Sequence, residues 1–268
     1  MVRRVLVLAY GTVSYALSLV TLLYTVGFVG GFATPTCLDG PRLGSVGAAL
    51  AVDLGLLAIF ALQHSGMARP TFKRWSARFV PEATERSTYV LLSCLALLLL
   101  FRYWRPIGGV IWATGDPLVR ALLYAVFGAG WLLVLTATFL INHFDRFGLR
   151  QVWLAFRGRP YTRLGFTTPV LYRFVRHPLY VGWLLAFWAT PLMTFAHLVF
   201  AAALTAYILA AIRWEERDLA GTHPEYAAYR RRVPMLIPRW PSLTAGAGPG
   251  SERNPATSSA GLGASRAS

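Results

Sequence analysis

The chain has 268 residues, 56% of them hydrophobic and 14% charged, with a mean hydropathy of +0.50. A soluble domain of this size carries about 25% charge, and here the apolar residues stand in long blocks, which excludes an ordinary soluble fold and reads as a polytopic membrane protein. The net charge of +15 does not point to nucleic acid. The 26 basic residues, 25 of them arginine, are scattered between the apolar blocks, where they set topology and meet lipid headgroups.

Arg3 and Arg4 precede an apolar run too long for a cleaved signal core, so the first span is expected at about 5–30. The second, at 46–66, contains Asp53 and closes on Gln63-His64-Ser65. The third lies at 87–104 and the fourth at 118–142, closing on Asn142-His143-Phe144-Asp145. A polar, aromatic-rich stretch (143–177) leads into an almost purely apolar block (178–212). A charged segment (213–240) follows, then a Gly/Ala/Ser/Pro tail at 242–268 that is expected to be disordered. Cys37 and Cys94 lie far apart with no metal or redox spacing, and no metal site is expected.

As one helix the 178–212 block would run about 52 Å against a hydrocarbon core of about 30 Å. A hairpin turning near Pro191 fits better and returns Glu216 to the face that holds Arg176. The expected fold is therefore all-α, a helical bundle of about five to six transmembrane helices ending in a hairpin. With six spans, 22 of the 26 basic residues fall on the side of the N-terminus. The positive-inside rule then places both termini in the cytoplasm.

Two bracketing motifs need a reason, because charge beside hydrocarbon is expensive. In Arg176-His177-Pro178-Leu179-Tyr180-Val181-Gly182 the proline holds His177 extended and opens a helix. The free N–H groups and the dipole beside Arg176 suit a carboxylate or phosphate, and Gly182 permits close approach of a ligand or a helix. The bland alternative is an interfacial Arg-His cap. Glu215 and Glu216 are expected at the end of the second hairpin helix, flanked by Arg213 and Arg217, and the bland alternative there is an exposed ion-paired helix end. Downstream, Tyr226, Tyr229, Arg230 and a turn bounded by Pro234 and Pro238 are placed to cover a pocket. Asp53, the one acid inside a span, has no assigned role.

The ordered set RHPxYxG, apolar hairpin, EE, Y-x-x-Y and V-P-x-x-I-P resembles the isoprenylcysteine carboxyl methyltransferase superfamily of membrane enzymes. The stretches 61–75 and 138–161 resemble its bacterial branch that contains the methanethiol S-methyltransferases. The resemblance implies one methyltransferase domain over 1–241 in a bacterial inner membrane, with S-adenosyl-L-methionine bound by 170–240. It implies cofactor contacts from Arg176, His177, Pro178, Tyr180, Gly182, Glu215 and Glu216, with Arg176 on the carboxylate, Glu216 ahead of Glu215 on ribose or ammonium, and Tyr180 or Trp183 facing the sulfonium or adenine. Loss of a thiol proton asks for a base, and His64 or His143, the latter beside Asp145, are the catalytic candidates. The implied reaction converts a small thiol, methanethiol, to dimethyl sulfide. Methylation of a lipid-borne group, or a non-enzymatic accessory or transport role, are the alternatives.

Overall fold

The computed structural model describes residues 1–162, 164–165 and 167–238, so the expected boundary at 241 and the tail lie outside the described residues. Five helices are long and apolar enough to cross a membrane. They include α1 (Val2–Gly30), α2 (Val46–Ala68), α4 (Glu85–Tyr103, extended by one 3₁₀ turn at Glu82–Thr84) and α5 (Pro117–Leu140). These lie within a few residues of the expected spans. Between α2 and α4 runs a short helix, α3 (Pro70–Ser76). Local chemistry places the ends. The Ser45 hydroxyl caps α2 by accepting from Ala48 N, and Asp116 caps α5 by accepting from Leu118 N and Val119 N ahead of Pro117. Gly31 ends α1 in the left-handed region at φ 70°, where a side chain costs energy.

After α5 the chain runs through α6 (His143–Arg146) and α7 (Leu149–Phe156) before reaching the hairpin. Its arms are unequal. The first, α8 (Pro178–Trp188), has 11 residues, and the second, α9 (Phe195–Thr222), has 28. The hairpin expected within 178–212 is present, and its second arm runs ten residues beyond that block. At 1.5 Å per residue α8 is roughly 16 Å long, about half a hydrocarbon core, and the non-helical residues 189–194, with Pro191 among them, cover the remaining height. Glu215 and Glu216 do not end the second arm, which continues through Thr222. A final helix, α10 (Tyr226–Arg232), folds back beneath it.

Non-helical backbone at membrane depth survives only where protein satisfies it. Strand β1 (Val110–Ala113) pairs antiparallel with β2 (Leu192–Thr194), and Thr114 N donates to Pro191 O. The Trp112 indole donates to Thr190 O, and His197 Nε2 lies 3.0 Å from Phe187 O, one of the last carbonyls of α8. At the same end Asp53, fully buried, accepts from Arg105 N at 2.9 Å and so holds the chain just beyond α4.

The core is aromatic. Phe28 meets Phe101 at 4.8 Å, and Trp104 and Phe187 pack edge-on against Phe200. Helix α5 packs on α8 through glycine: a Cβ on Gly182 would lie 2.7 Å from Gly130 O, and one on Gly130 would lie 2.8 Å from Gly182 O. Of the two partners foreseen for Gly182, the helix is the one present.

Candidate functional site

The two brackets meet at the arginine-rich end of the bundle. Arg176 Nε donates to Glu216 Oε1 at 2.8 Å, and His177 Nε2 lies 3.1 Å from the same oxygen. Arg230 Nε approaches Glu216 Oε2 at 3.3 Å, and Tyr226 lies in electrostatic reach of the same carboxylate. The Arg176 and Glu216 side chains are 10% and 7% exposed, so this ion pair is buried rather than interfacial. The rest of the Arg176 fork is also engaged, with Nη1 donating to Arg230 O and Val233 O. Backbone strapping completes the join: Arg176 N donates to Pro234 O and His177 N to Met235 O. The V-P-x-x-I-P segment is thus stitched onto the RHP segment. The Tyr229 hydroxyl donates to Tyr172 O at 2.6 Å. Burial pushes Tyr172 and Tyr229 up to about 12, so both stay protonated donors.

Glu215 behaves differently. Its side chain is 42% exposed, it accepts from the Tyr180 hydroxyl at 3.1 Å, and it stands 3.9 Å from His177 Nδ1. The helix itself explains the contrast. Phe200, Leu204, Ile208 and Ile212 are buried at steps of four, and the next step is Glu216, whereas Glu215 is turned about 100° away. Glu216 is built into the wall, and Glu215 faces a cluster of polar side chains.

That cluster draws groups from five helices, α2, α4, α6, α8 and α9, and from the segment that carries Tyr172. The Glu215 carboxylate is in electrostatic reach of Tyr89 and Tyr172, and Arg146 is in reach of His64, Tyr89, Tyr172 and Tyr180. Arg146 is exposed, and among the described residues no carboxylate pairs with it. The Tyr207 hydroxyl bonds to Ser65 at 2.9 Å on the same side. Pro178 is fully buried at the head of α8, and Trp183 lies edge-on to Trp131 at 5.0 Å.

The two histidines proposed as bases occupy separate settings. His64 stacks on Phe60, with Ser93 Oγ 3.1 Å from Nδ1 and the Tyr89 hydroxyl 2.9 Å from Nε2. His143 is 3% exposed. Its Nδ1 faces Thr138 Oγ1 and its Nε2 faces the Tyr15 hydroxyl, each at 2.9 Å. Because Thr138 already donates to Leu135 O, its oxygen accepts from Nδ1–H, and the Nε2 lone pair is then filled by Tyr15. Burial holds this imidazole below the usual histidine range. Asp145 does not hold His143. It pairs with Arg150 at 3.0 Å and accepts from the Tyr161 hydroxyl at 3.1 Å.

Sequence reasoning missed Tyr89, Tyr207 and Arg146. Arg146 sits one residue beyond the Asn-His-Phe-Asp cluster and carried a signal as a cation at the mouth of a span. Tyr89 and Tyr207 carried none, since only the packing of α2 against α4 and α9 brings them to His64 and Ser65.

Comparison with known proteins agrees with this architecture. The chain is 55% identical over 236 residues to a methanethiol S-methyltransferase of Crocosphaera subtropica, covering 88% of this chain and 92% of that protein. It is 53% identical over 240 residues to the protein of that name from Mycobacterium tuberculosis, covering 89% and 98%. A more distant relative is Nurim of Sus scrofa, 34% identical over 188 residues, covering 63% of this chain. No family model and no solved structure matches the chain.

Proposed function

The chain belongs to the methanethiol S-methyltransferase family, and we propose that it moves a methyl group from S-adenosyl-L-methionine to methanethiol, releasing dimethyl sulfide. The observation that carries this reading is a half-exposed carboxylate, Glu215, and an exposed arginine, Arg146, with no acid partner among the described residues, both in electrostatic reach of the same three tyrosines, Tyr89, Tyr172 and Tyr180. A zwitterionic nucleoside needs such a pair of opposite charges with aromatic surface near both.

Glu215 accepts hydrogen bonds from the donor's ribose or ammonium, and Arg146 pairs with its carboxylate. Tyr180 orients Glu215 through its hydroxyl. Arg176, His177, Glu216 and Arg230 form the wall of the cluster and keep Glu215 aimed inward. When bound, the donor supplies a methyl carbon on a cationic sulfur that leaves as a neutral thioether with the electron pair of the broken C–S bond, as the acceptor sulfur forms the new one. His64, through the Tyr89 hydroxyl on its Nε2, takes the thiol proton, leaving the S–H electron pair on the attacking sulfur. Packing of α8 on α5 and the strap over 233–236 keep bulk water from the reacting atoms.

The arginine-rich end faces the cytoplasm of a bacterial inner membrane. Its support is the sorting of basic residues and the placement of Arg4 against Gly158, which puts the N-terminus and the 143–177 loop at one end. Purified protein incubated with methyl-labelled S-adenosyl-L-methionine and methanethiol should place the label in volatile dimethyl sulfide. Label recovered in lipid, or none transferred to any thiol, overturns the reading.

A further inference from the structure

Tyr89 faces two ways. Its hydroxyl meets the edge of His64, 3.0 Å from Nδ1 and 2.9 Å from Nε2. Nδ1–H is committed to Ser93 Oγ, whose own hydrogen goes to Tyr89 O. The hydroxyl therefore donates to Nε2 and keeps its oxygen lone pairs for another group. The rest of the side chain walls a cleft of about 200 Å³ between α3 and α4. Met67, Phe72, Trp75, Phe79 and Leu92 make this cleft apolar, and a Lys73–Glu85 ion pair at 3.1 Å, both of whose residues also line it, ties α3 to the start of α4.

The segment that walls the cleft is aromatic and basic. Phe72, Trp75 and Phe79 alternate with Arg69, Lys73, Arg74 and Arg78, and Trp75 and Phe79 are 54% and 73% exposed. Aromatic rings interleaved with arginine and lysine around a short helix are the composition of the lipid–water interface. A charged nucleoside is excluded from an apolar slot of this size, and it has the polar cluster at Arg146 to use. A small neutral thiol has the opposite preference, because it partitions toward the bilayer.

We propose that the cleft between α3 and α4 admits the thiol from the bilayer surface, and that Tyr89 is the residue that touches it and limits its size. This rests on the methyltransferase reading above. The two substrates then reach the polar cluster by separate routes and meet at the Tyr89 hydroxyl, whose oxygen accepts from the thiol S–H while its hydrogen stays on His64.

Two variants and one chemical modification test this in the full-length protein, with S-adenosylhomocysteine binding as the folding control. Leu92→Trp narrows the cleft from α4 without touching His64, and it should raise KM for methanethiol at least tenfold with nucleoside affinity unchanged. Tyr89→Leu removes the wall together with the proton relay, so turnover of every thiol should fall, while the kcat/KM of propanethiol relative to methanethiol should rise at least tenfold. Should Leu92→Trp fail to fold, Leu92→Cys modified after purification with N-alkylmaleimides of increasing size, whose thioether survives the thiol substrate, replaces it, the parent protein treated alike being the control. KM should climb with reagent size. Unchanged KM across the reagents, together with a wild-type thiol profile in Tyr89→Leu, overturns the cleft as the route. Wild-type protein that methylates no thiol while binding the nucleoside overturns the underlying reading instead.

Discussion

At one end of the hairpin His197 stands between Asp39 and the Phe187 carbonyl; at the other His177 stands between Glu216 and Glu215. Both rings are buried, and both are pressed against a carboxylate. At the outer end Asp39 accepts from Thr194 N and Oγ1 and faces His197 Nδ1, so the acid, the hydroxyl and the imidazole complete one another. At the arginine-rich end one carboxylate, Glu216, is enclosed as fully as Asp39, but a second one, one residue away, is left half-exposed. The extra, half-exposed carboxylate is what the outer latch lacks. Buried polar groups that satisfy one another hold structure, and chemistry needs one that they do not consume.

The comparison breaks most severely at Glu216. Glu216→Ala leaves Arg176 and Arg230 facing an apolar wall, and removing one member of a buried pair costs about 3–5 kcal/mol. Asp39→Asn keeps an acceptor for Thr194 but removes the charge opposite His197, for a cost of about 1–3 kcal/mol. Unfolding of both variants in the same detergent should rank them in that order. Equal losses at the two ends would mean that the Glu216 cluster is no more tightly coupled than the outer latch.

Glu215→Gln sharpens the contrast from the other side. Its carboxylate is 42% exposed and holds one hydrogen bond from Tyr180, so stability should change by no more than about 1 kcal/mol. Loss of one charge-assisted bond to the nucleoside should weaken its binding by about 1.5–3 kcal/mol, or roughly ten- to a hundredfold. Calorimetric titration with S-adenosylhomocysteine decides this. Wild-type affinity in a folded Glu215→Gln protein would remove Glu215 from the site.

Much of this was legible in the chain. Long apolar blocks separated by arginine-bearing segments located four spans to within a few residues, and the length of 178–212 required a return. Which of the two adjacent glutamates is exposed was not legible from the motif, because neighbouring helical residues differ by about 100° and motif order carries no phase. The phase was present farther upstream, in the steps of four from Phe200 to Ile212, once the helix is followed past 212. Pairing of His64 with Tyr89 depends on how α2 crosses α4, which periodicity within either helix does not encode. The short first arm was hidden for a similar reason, since its missing length is made up by backbone pairing with β1, a segment with no apolar block of its own.

The smallest effect concerns His143, which lies outside both ends of the comparison and measures what burial alone does to an imidazole. Its ring has no carboxylate partner, and desolvation depresses its pKa below the ordinary value of 6.5. The folded ring therefore stays neutral where the unfolded ring begins to take up a proton. Its contribution to stability is complete above about pH 6.5 and is lost as the pH falls toward the folded value, because the unfolded state then binds more protons. Acidification from about pH 7.5 to about pH 5.5 should lower stability with a slope from this group of at most about 1.4 kcal/mol per pH unit. In His143→Gln, which retains a side-chain amide for Tyr15 or Thr138, that part of the slope should vanish. Thermal unfolding of the two proteins across this pH range measures it. An unchanged slope in the variant would mean that Tyr15 and Thr138 hold the protonated ring as readily as the neutral one.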